Sequence, residues 1–253
     1  MPINYARRLT GGVRTAQADR QLGLALAFVA GAVNAGGFVA VAQYTSHMTG
    51  IVSAMADHMA LGTYGLLWEG LGALASFVLG AACSSALVNF ARQRRLNSVY
   101  AFPLLIEAAL LLCFGILGSH LASRETLSAP PTIMLLCFIM GLQNAVISKL
   151  SNSSIRTTHV TGIVTDIGIE LGKMLYSNAP GTLPGDRVVG NRVKLHFLSA
   201  LVTCFFTGGV VGALGFSHLG YVSTVPLALL LVVLAAVPAL DDARAAVRRW
   251  TGC

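Results

Sequence analysis

From Leu22 to Leu240 the chain is a succession of long apolar runs separated by short polar turns. About 20 consecutive apolar residues cross the hydrocarbon core of a bilayer. In lipid the backbone polar groups of such a run are satisfied within the run itself, so each folds as a helix. The expected fold class is all-α, a polytopic helical membrane protein. Composition agrees. Charged residues make up 11% of the 253 residues and the mean hydropathy is +0.72, whereas a soluble domain carries about 25% charged residues.

Apolar segments are predicted at about 22–42, 47–62, 66–90, 99–119, 131–150, 159–176, 195–216 and 220–240. The comparably polar stretches are residues 1–21, 91–98, 177–194 and the C-terminal tail, each too short for a second folded domain. Residues 1–253 are therefore expected to form a single transmembrane domain with tails at 1–21 and 241–253. Arg7, Arg8 and Arg14 precede Leu22–Val41 as in a signal peptide, but that run is too long for a signal core and more spans follow. It is expected to be the first retained span.

The net charge of +7 is gathered at the ends of apolar runs, with no basic face in sequence and no nucleic-acid motif. The expected partner is the lipid bilayer, not nucleic acid, and the sequence leaves the oligomeric state open. Of the cysteines, Cys83, Cys113, Cys137 and Cys204 lie in apolar runs and Cys253 ends the chain. No CxxC or metal-type spacing occurs, so they read as small hydrophobes. No cofactor is implied.

Segments 47–62 (HMTGIVSAMADHMALG) and 159–176 (HVTGIVTDIGIELGKMLY) depart from the pattern, being short and carrying acids. Both begin inside a repeated string. TSHMTGIV at 45–52 and TTHVTGIV at 157–164 share T-x-H-x-T-G-I-V, 112 residues apart. Phe28, Gly31, Asn34 and Ala35 in FVAGAVNA match Phe138, Gly141, Asn144 and Ala145 in FIMGLQNA. A looser match aligns ALASFVLGAACSSAL (73–87) with ALVTCFFTGGVVGAL (200–214). The chain therefore reads as two repeats, about 20–120 and 130–240, a recurrent build of secondary transporters.

Charge sets the expected topology. Arg7, Arg8, Arg14 and Arg20 place the N-terminus in the cytoplasm, and Arg92, Arg94 and Arg95 belong on the same side. Two crossings satisfy this, so 47–62 does not cross. In the second half Lys149 and Arg156 precede 159–176, and Arg187, Arg192 and Lys194 follow it. That segment also enters and leaves on one side. Segment 220–240 returns to a cytoplasmic tail bearing Arg244, Arg248 and Arg249, and the balanced Arg124–Glu125 loop falls outside. The outcome is six spans, two short discontinuous or re-entrant helices, and repeats of inverted topology. The alternative is eight spans in parallel repeats, which leaves Arg92–Arg95 outside.

A helix that starts partway through a membrane has free N–H groups and the positive end of its dipole at that depth, a setting that favours anions. Thr49 or Thr161 is expected to cap such a start, and Gly50 and Gly162 to allow close approach. His47 and His159 stand beside them, with Asn34 and Asn144 at matched mid-span positions. These eight residues form the expected substrate site. The threonine and glycine pairs also suit helix packing, and the asparagines also suit bonding across helices. No HExxH or cysteine partner accompanies the histidines, so no metal site is expected.

Acids inside a membrane are costly and mark function by default. Asp166, Glu107 and Asp57 are the candidates to carry a coupling proton. Asp57 lies seven residues after Gly50, whereas Asp166 lies four after Gly162. Asp166, Glu170 and Lys173 share one helix face, which also suits a self-neutralising salt bridge. Glu107, in FPLLIEAALLL, has no partner nearby in sequence, and Glu69 sits near a segment end. Gly208-x-x-x-Gly212 reads as a packing face, and DDARAAVRRW as a short amphipathic helix at the membrane surface. No catalytic or nucleotide-binding motif occurs, so no enzyme is expected.

GAVNAGGFVAVAQYTSHMTGIV and GLQNAVISKLSNSSIRTTHVTGIVTDIG, with G-x-Q-N at Gly141–Asn144 and R-T-T-x-V-T-G at Arg156–Gly162, resemble the YoaK family. The resemblance covers nearly the whole chain. It implies a multi-pass protein of the bacterial inner membrane and supplies no substrate. The chain departs from the family pattern at Asn34, where an aspartate is common, and at Ile51, where an asparagine is common. Residues and resemblance together point to a secondary transporter-like permease for a small polar or anionic solute. A non-transporting scaffold or accessory protein is the alternative, and a channel a further one.

Overall fold

The computed structural model describes residues 10, 15–121, 129–151, 155, 157–180 and 183–251. Arg7, Arg8, Arg14, Arg124, Glu125, Arg156 and Cys253, used above for topology, motif and cysteine arguments, lie outside them. The described chain is helical: α1 (Ala16–Val41), α2 (Met48–Ala60), α3 (Tyr64–Gln93), α4 (Ala101–Leu121), α5 (Ala129–Leu150), α6 (Val160–Leu175), α7 (Arg192–Leu219) and α8 (Thr224–Thr251). A short 3-10 turn, Gly220–Ser223, joins α7 to α8.

Local chemistry sets several boundaries. Thr15 caps α1 by accepting from the Ala18 N–H, and Asn191 caps α7 by accepting from the Lys194 N–H. α1 stops at Ala42, which takes the left-handed conformation (φ 55) and returns its N–H to the Phe38 carbonyl. Gly220, also at positive φ, ends α7. α8 runs on through the polar tail as one helix, so DDARAAVRRW continues the preceding helix and is not a separate surface piece.

Five stretches are long and apolar enough to cross a membrane: Ala16–Val41, Tyr64–Gln93, Ala101–Ser119, Pro130–Leu150 and Arg192–Arg244. The last is 53 residues and contains α7, the 3-10 turn and the first part of α8. α2, of 13 residues, and α6, of 16, are not among them.

Two backbone-close helix pairs make the centre. α1 lies against α7 and α3 against α5, each without a side chain between them at the closest point. A Cβ on Gly31 would strike the Phe205 carbonyl, and one on Gly208 the Phe28 carbonyl. In the other pair, a Cβ on Gly141 would strike the Phe77 carbonyl, and one on Gly80 the Phe138 carbonyl. The expected small-residue face on α7 is real, since Gly212 is equally tight against Ala32. The matched contacts set Phe77 opposite Phe205 and Gly80 opposite Gly208, one residue away from the loose alignment of 73–87 with 200–214. Thr207 therefore does not take the place of Gly80. One residue is about 100° around a helix, enough to turn the glycine away from the contact.

Direction follows from neighbours. Arg20 lies over the Phe197 ring at one end of α1 and α7, and Gly36 abuts Phe216 toward the other, so these two run parallel. Gly72 meets Met134 and Lys149 reaches Asn89, so α3 and α5 also run parallel. α1 is antiparallel to α5, with Gly23 near Ile147 and Gly37 near Leu136. α4 is antiparallel to α8: Ser98, just before α4, bonds Asp242, and Gly115 abuts Thr224. The buried core binds these pairs together through Leu22, Leu26, Leu104, Leu111, Leu142 and Leu231. One end of the bundle collects Arg20, Arg92 and Lys149, and will be called the basic end.

α2 and α6 are appended to this frame. α2 packs back along α3: Met48 adjoins the cluster containing Phe77, Met55 abuts Gly70, and His58 bonds Thr63 at the helix turn. α6 packs back along α7: Val160 lines a cavity with Phe205, and Met174 abuts Gly190. Only Ile51 of α2, and only Ile163 and Glu170 of α6, are buried. The four described cysteines are free: Cys137 is buried, Cys83 and Cys204 are half-buried, and Cys113 is exposed, so Cys113 is not the buried hydrophobe its run suggested.

Candidate functional site

Phe77 and Phe205 each lie thirteen residues into a long helix, about 20 Å from its start at 1.5 Å per residue. Midway through the bundle, α2 and α6 both begin. A cavity of about 490 Å³ lies between their starts. It is lined by Asn34, Tyr44, Ser46, His47, Met48 and Thr49 from the first half of the chain, and by Thr158, His159, Val160, Thr161 and Gly162 from the second. The phenylalanines close its sides.

The two motif copies build their approaches alike. The chain enters α2 through a succession of bends after Ala42, and the Asn34 Oδ1 accepts from the Ser46 N–H at 3.2 Å and from its hydroxyl at 2.8 Å. Before α6, the Asn144 Oδ1 accepts from the Thr158 hydroxyl at 2.6 Å. Asn144 also donates to the Met140 carbonyl, one turn back on its own helix. The asparagines hold the motif loops at this depth. Asn34 lines the cavity, whereas Asn144 is one bond behind it.

The helix starts differ from expectation. Backbone geometry leaves the helical region at His47 (φ −95, ψ 69) and His159 (φ −82, ψ 58), so the histidines occupy the cap positions. Neither histidine side chain caps its helix. Thr49 and Thr161 lie inside the first turn and line the cavity instead of capping. First-turn N–H groups have no partner within their helix, so both starts direct positive dipole ends at the cavity. Among the described residues, the buried hydroxyls of Thr45 and Thr157, the first threonines of the two strings, make no hydrogen bond.

The expected site residues do not all meet. Asn34, His47, Thr49, His159, Thr161 and Gly162 line the one cavity. Gly50 faces an adjoining cleft of about 380 Å³, where a Cβ would collide with the His47 ring. Gly162 has open space at the corresponding point. The acids are elsewhere. Asp57 is exposed on α2. Glu107 is 1% exposed within α4, with neither carboxyl oxygen bonded among the described residues, and lines none of these cavities. Asp166 pairs with Lys194 at 3.6 Å toward the basic end. A third cavity, about 440 Å³, opens between α1 and α7 and shares Asn34, Tyr44, Val160 and Phe205 with the central one.

Tyr44, Ser46, Thr158, Phe77 and Phe205 were not foreseen from sequence. Ser46 and Thr158 occupy the variable second position of T-x-H, yet both are hydroxyl residues, which was the available signal. The phenylalanines look like ordinary members of apolar runs, and nothing local distinguishes them.

A helical bundle with five stretches long and apolar enough to cross a membrane defines a multi-pass transmembrane protein. The chain belongs to the family described as Protein of unknown function (DUF1275), which matches residues 22–237. It is 24% identical over 214 residues to the UPF0700 transmembrane protein YoaK of Bacillus subtilis (strain 168), covering 83% of this chain and 89% of that one. No solved structure matches.

Proposed function

We propose that this protein is a permease for a small polar or anionic solute, bound where α2 and α6 begin. The observation that carries this reading is the cavity lined by both copies of the T-x-H-x-T-G string. A scaffold would bring the two copies into dry contact; an open cavity between them favours a ligand. Two helix N-termini, the hydroxyls of Tyr44, Thr49 and Thr161 and two imidazoles offer donors for an anion or a polar group, the Ser46 and Thr158 hydroxyls being given to the asparagines. Among the described residues no carboxylate lines the central cavity, which favours an anion over a cation.

The frame is read as two inverted repeats. Corresponding helices α1 and α5 run antiparallel, as do α4 and α8, and the Gly31–Phe205 and Gly141–Phe77 contacts are the same contact made twice. A single 53-residue helix would measure about 80 Å, well beyond a bilayer of about 30 Å. The turn at Gly220 divides that stretch in two, which favours six spans. The basic end is assigned to the cytoplasm of a bacterial inner membrane by the positive-inside rule.

The test is flux. Purified protein in proteoliposomes is offered acetate, nitrate and phosphate, with glycerol as the uncharged comparison. One or more of these is expected to cross faster than in protein-free vesicles. The combined Thr49→Val, Thr161→Val variant is expected to lose that flux while eluting as a folded particle. Unchanged flux in the folded double variant removes the proposed site.

A further inference from the structure

The two motif-bearing helices are not treated alike by their surroundings, and the difference falls at matching positions. The repeated string pairs His47 with His159, so α2 and α6 correspond with Ala54 at the place of Asp166 and His58 at the place of Glu170. The glycine contacts pair Phe77 with Phe205, so on α3 and α7 Leu66 takes the place of Lys194.

On the basic side these positions are bonded shut. Lys194 Nζ lies 3.6 Å from Asp166 and 3.5 Å from Glu170, and Lys173 Nζ lies 3.1 Å from Glu170. The Asn191 N–H, at the cap of α7, donates to the other Glu170 oxygen at 2.8 Å. The Glu170 side chain is 3% exposed even though most of α6 is open. These bonds tie α6 to the start of α7.

On the opposite side the same three positions are Ala54, His58 and Leu66, and all three line the open cleft of about 380 Å³. That cleft shares Tyr44 and His47 with the central cavity. The central cavity therefore has an approach from the side away from the basic end, along α2, while the equivalent approach along α6 is occupied by ion pairs.

We infer that the Asp166–Lys194–Glu170 cluster is a latch that keeps the basic-side approach closed in this conformation, and that releasing it swings α6 away from α7 and turns the cavity toward the basic side. This rests on the permease reading. The energetics suit a latch. Asp166 and Lys194 are close to half exposed, so their pair alone is weak. Glu170 is buried, and separating it from its partners has a cost that a solute or a charge change can tip.

The test uses the full-length chain with its five cysteines replaced and Gly162→Cys as reporter, a position with room for a side chain in the cavity wall. A membrane-impermeant thiol reagent is applied to right-side-out and inside-out vesicles. The parent is expected to label from the side away from the basic end and slowly from the basic side. Lys194→Met or Glu170→Gln is expected to raise basic-side labelling about tenfold or more, the population shift that loss of one charged contact produces, and to lower labelling from the other side. Two outcomes overturn the latch while leaving the site standing: basic-side labelling that does not change in either variant, and labelling that rises from both sides together. Absence of labelling from either side overturns the permease reading itself. An added variant closes the other approach. Ala54→Asp, His58→Glu and Leu66→Lys together are expected to slow labelling from the open side, and an unaltered rate there counts against the latch.

Discussion

Gly31, Gly80, Gly141 and Gly208 each face a backbone carbonyl that a methyl group would overlap. Small residues let membrane helices approach until backbone meets backbone, where dispersion replaces the hydrophobic drive that lipid does not supply. A Gly141→Val substitution is therefore expected to lower stability by about 1–3 kcal/mol or more, since backbone cannot yield as a side chain can. Thermal unfolding in detergent measures this. Gly168 of α6 is the contrast, with nothing within 4 Å of its missing Cβ. Gly168→Ala is expected to be neutral or to stabilise by about 0.5–1 kcal/mol, the helix cost of glycine. Both glycines sit inside helices, so residue type alone does not separate them. The matched F-x-x-G at 28–31 and 138–141 was visible in sequence; that its partners are Phe205 and Phe77 was not, because the second match was one residue out of register.

At the scale of elements, the ends of helices carry much of the specificity. Asp242 on α8 accepts four hydrogen bonds from the turn before α4: the Asn97 N–H and side-chain amide, and the Ser98 N–H and hydroxyl. Burial pushes the Asp242 carboxyl up, but the bonds from Ser98 and Asn97 outweigh it and hold the group below the usual carboxylate range. A lowered carboxyl contributes stability above its unfolded pKa of about 3.9, and the contribution is lost as pH falls through the lower folded value. Asp242→Ala is expected to cost on the order of 1 kcal/mol, a modest figure because the clasp is partly exposed to solvent. Comparing thermal midpoints of parent and variant at pH 7 and at pH 3 checks it: the gap should narrow at the lower pH. The half-helices show how far elements were legible. Their shortness and polar openings were plain in the sequence. Their caps were not, because threonine is the stronger capping residue and only the backbone turn at His47 and His159 decides where each helix begins.

For the whole molecule, the direction of each helix is the quantity most open to test. If the basic end faces the cytoplasm, a single cysteine at Asn97 is expected to be labelled only from inside, and one at Leu61 only from outside. Both positions are exposed, at opposite ends of α3. Outside labelling at position 97 would reverse the orientation, and labelling of both positions from one side would overturn the six-span reading. Asp57, Glu107 and Asp166 belong to this scale too. Their sequence context made each a candidate proton carrier, and tertiary packing leaves them away from the central cavity: one on an exposed helix face, one sealed inside α4 and one in an ion pair.

The sequence by itself determined the membrane class, the approximate helix list, the two short segments and six of the thirteen residues that line the central cavity. Apolar length and a repeated polar string are local properties, and the bilayer punishes any other use of them. Only the tertiary structure decided which helices touch, the register of α3 and α7, the place of Tyr44, Phe77 and Phe205, and the unequal treatment of the two half-helices. Those depend on contacts between residues on different helices, where one residue of register or one lysine in place of a leucine changes what is brought together.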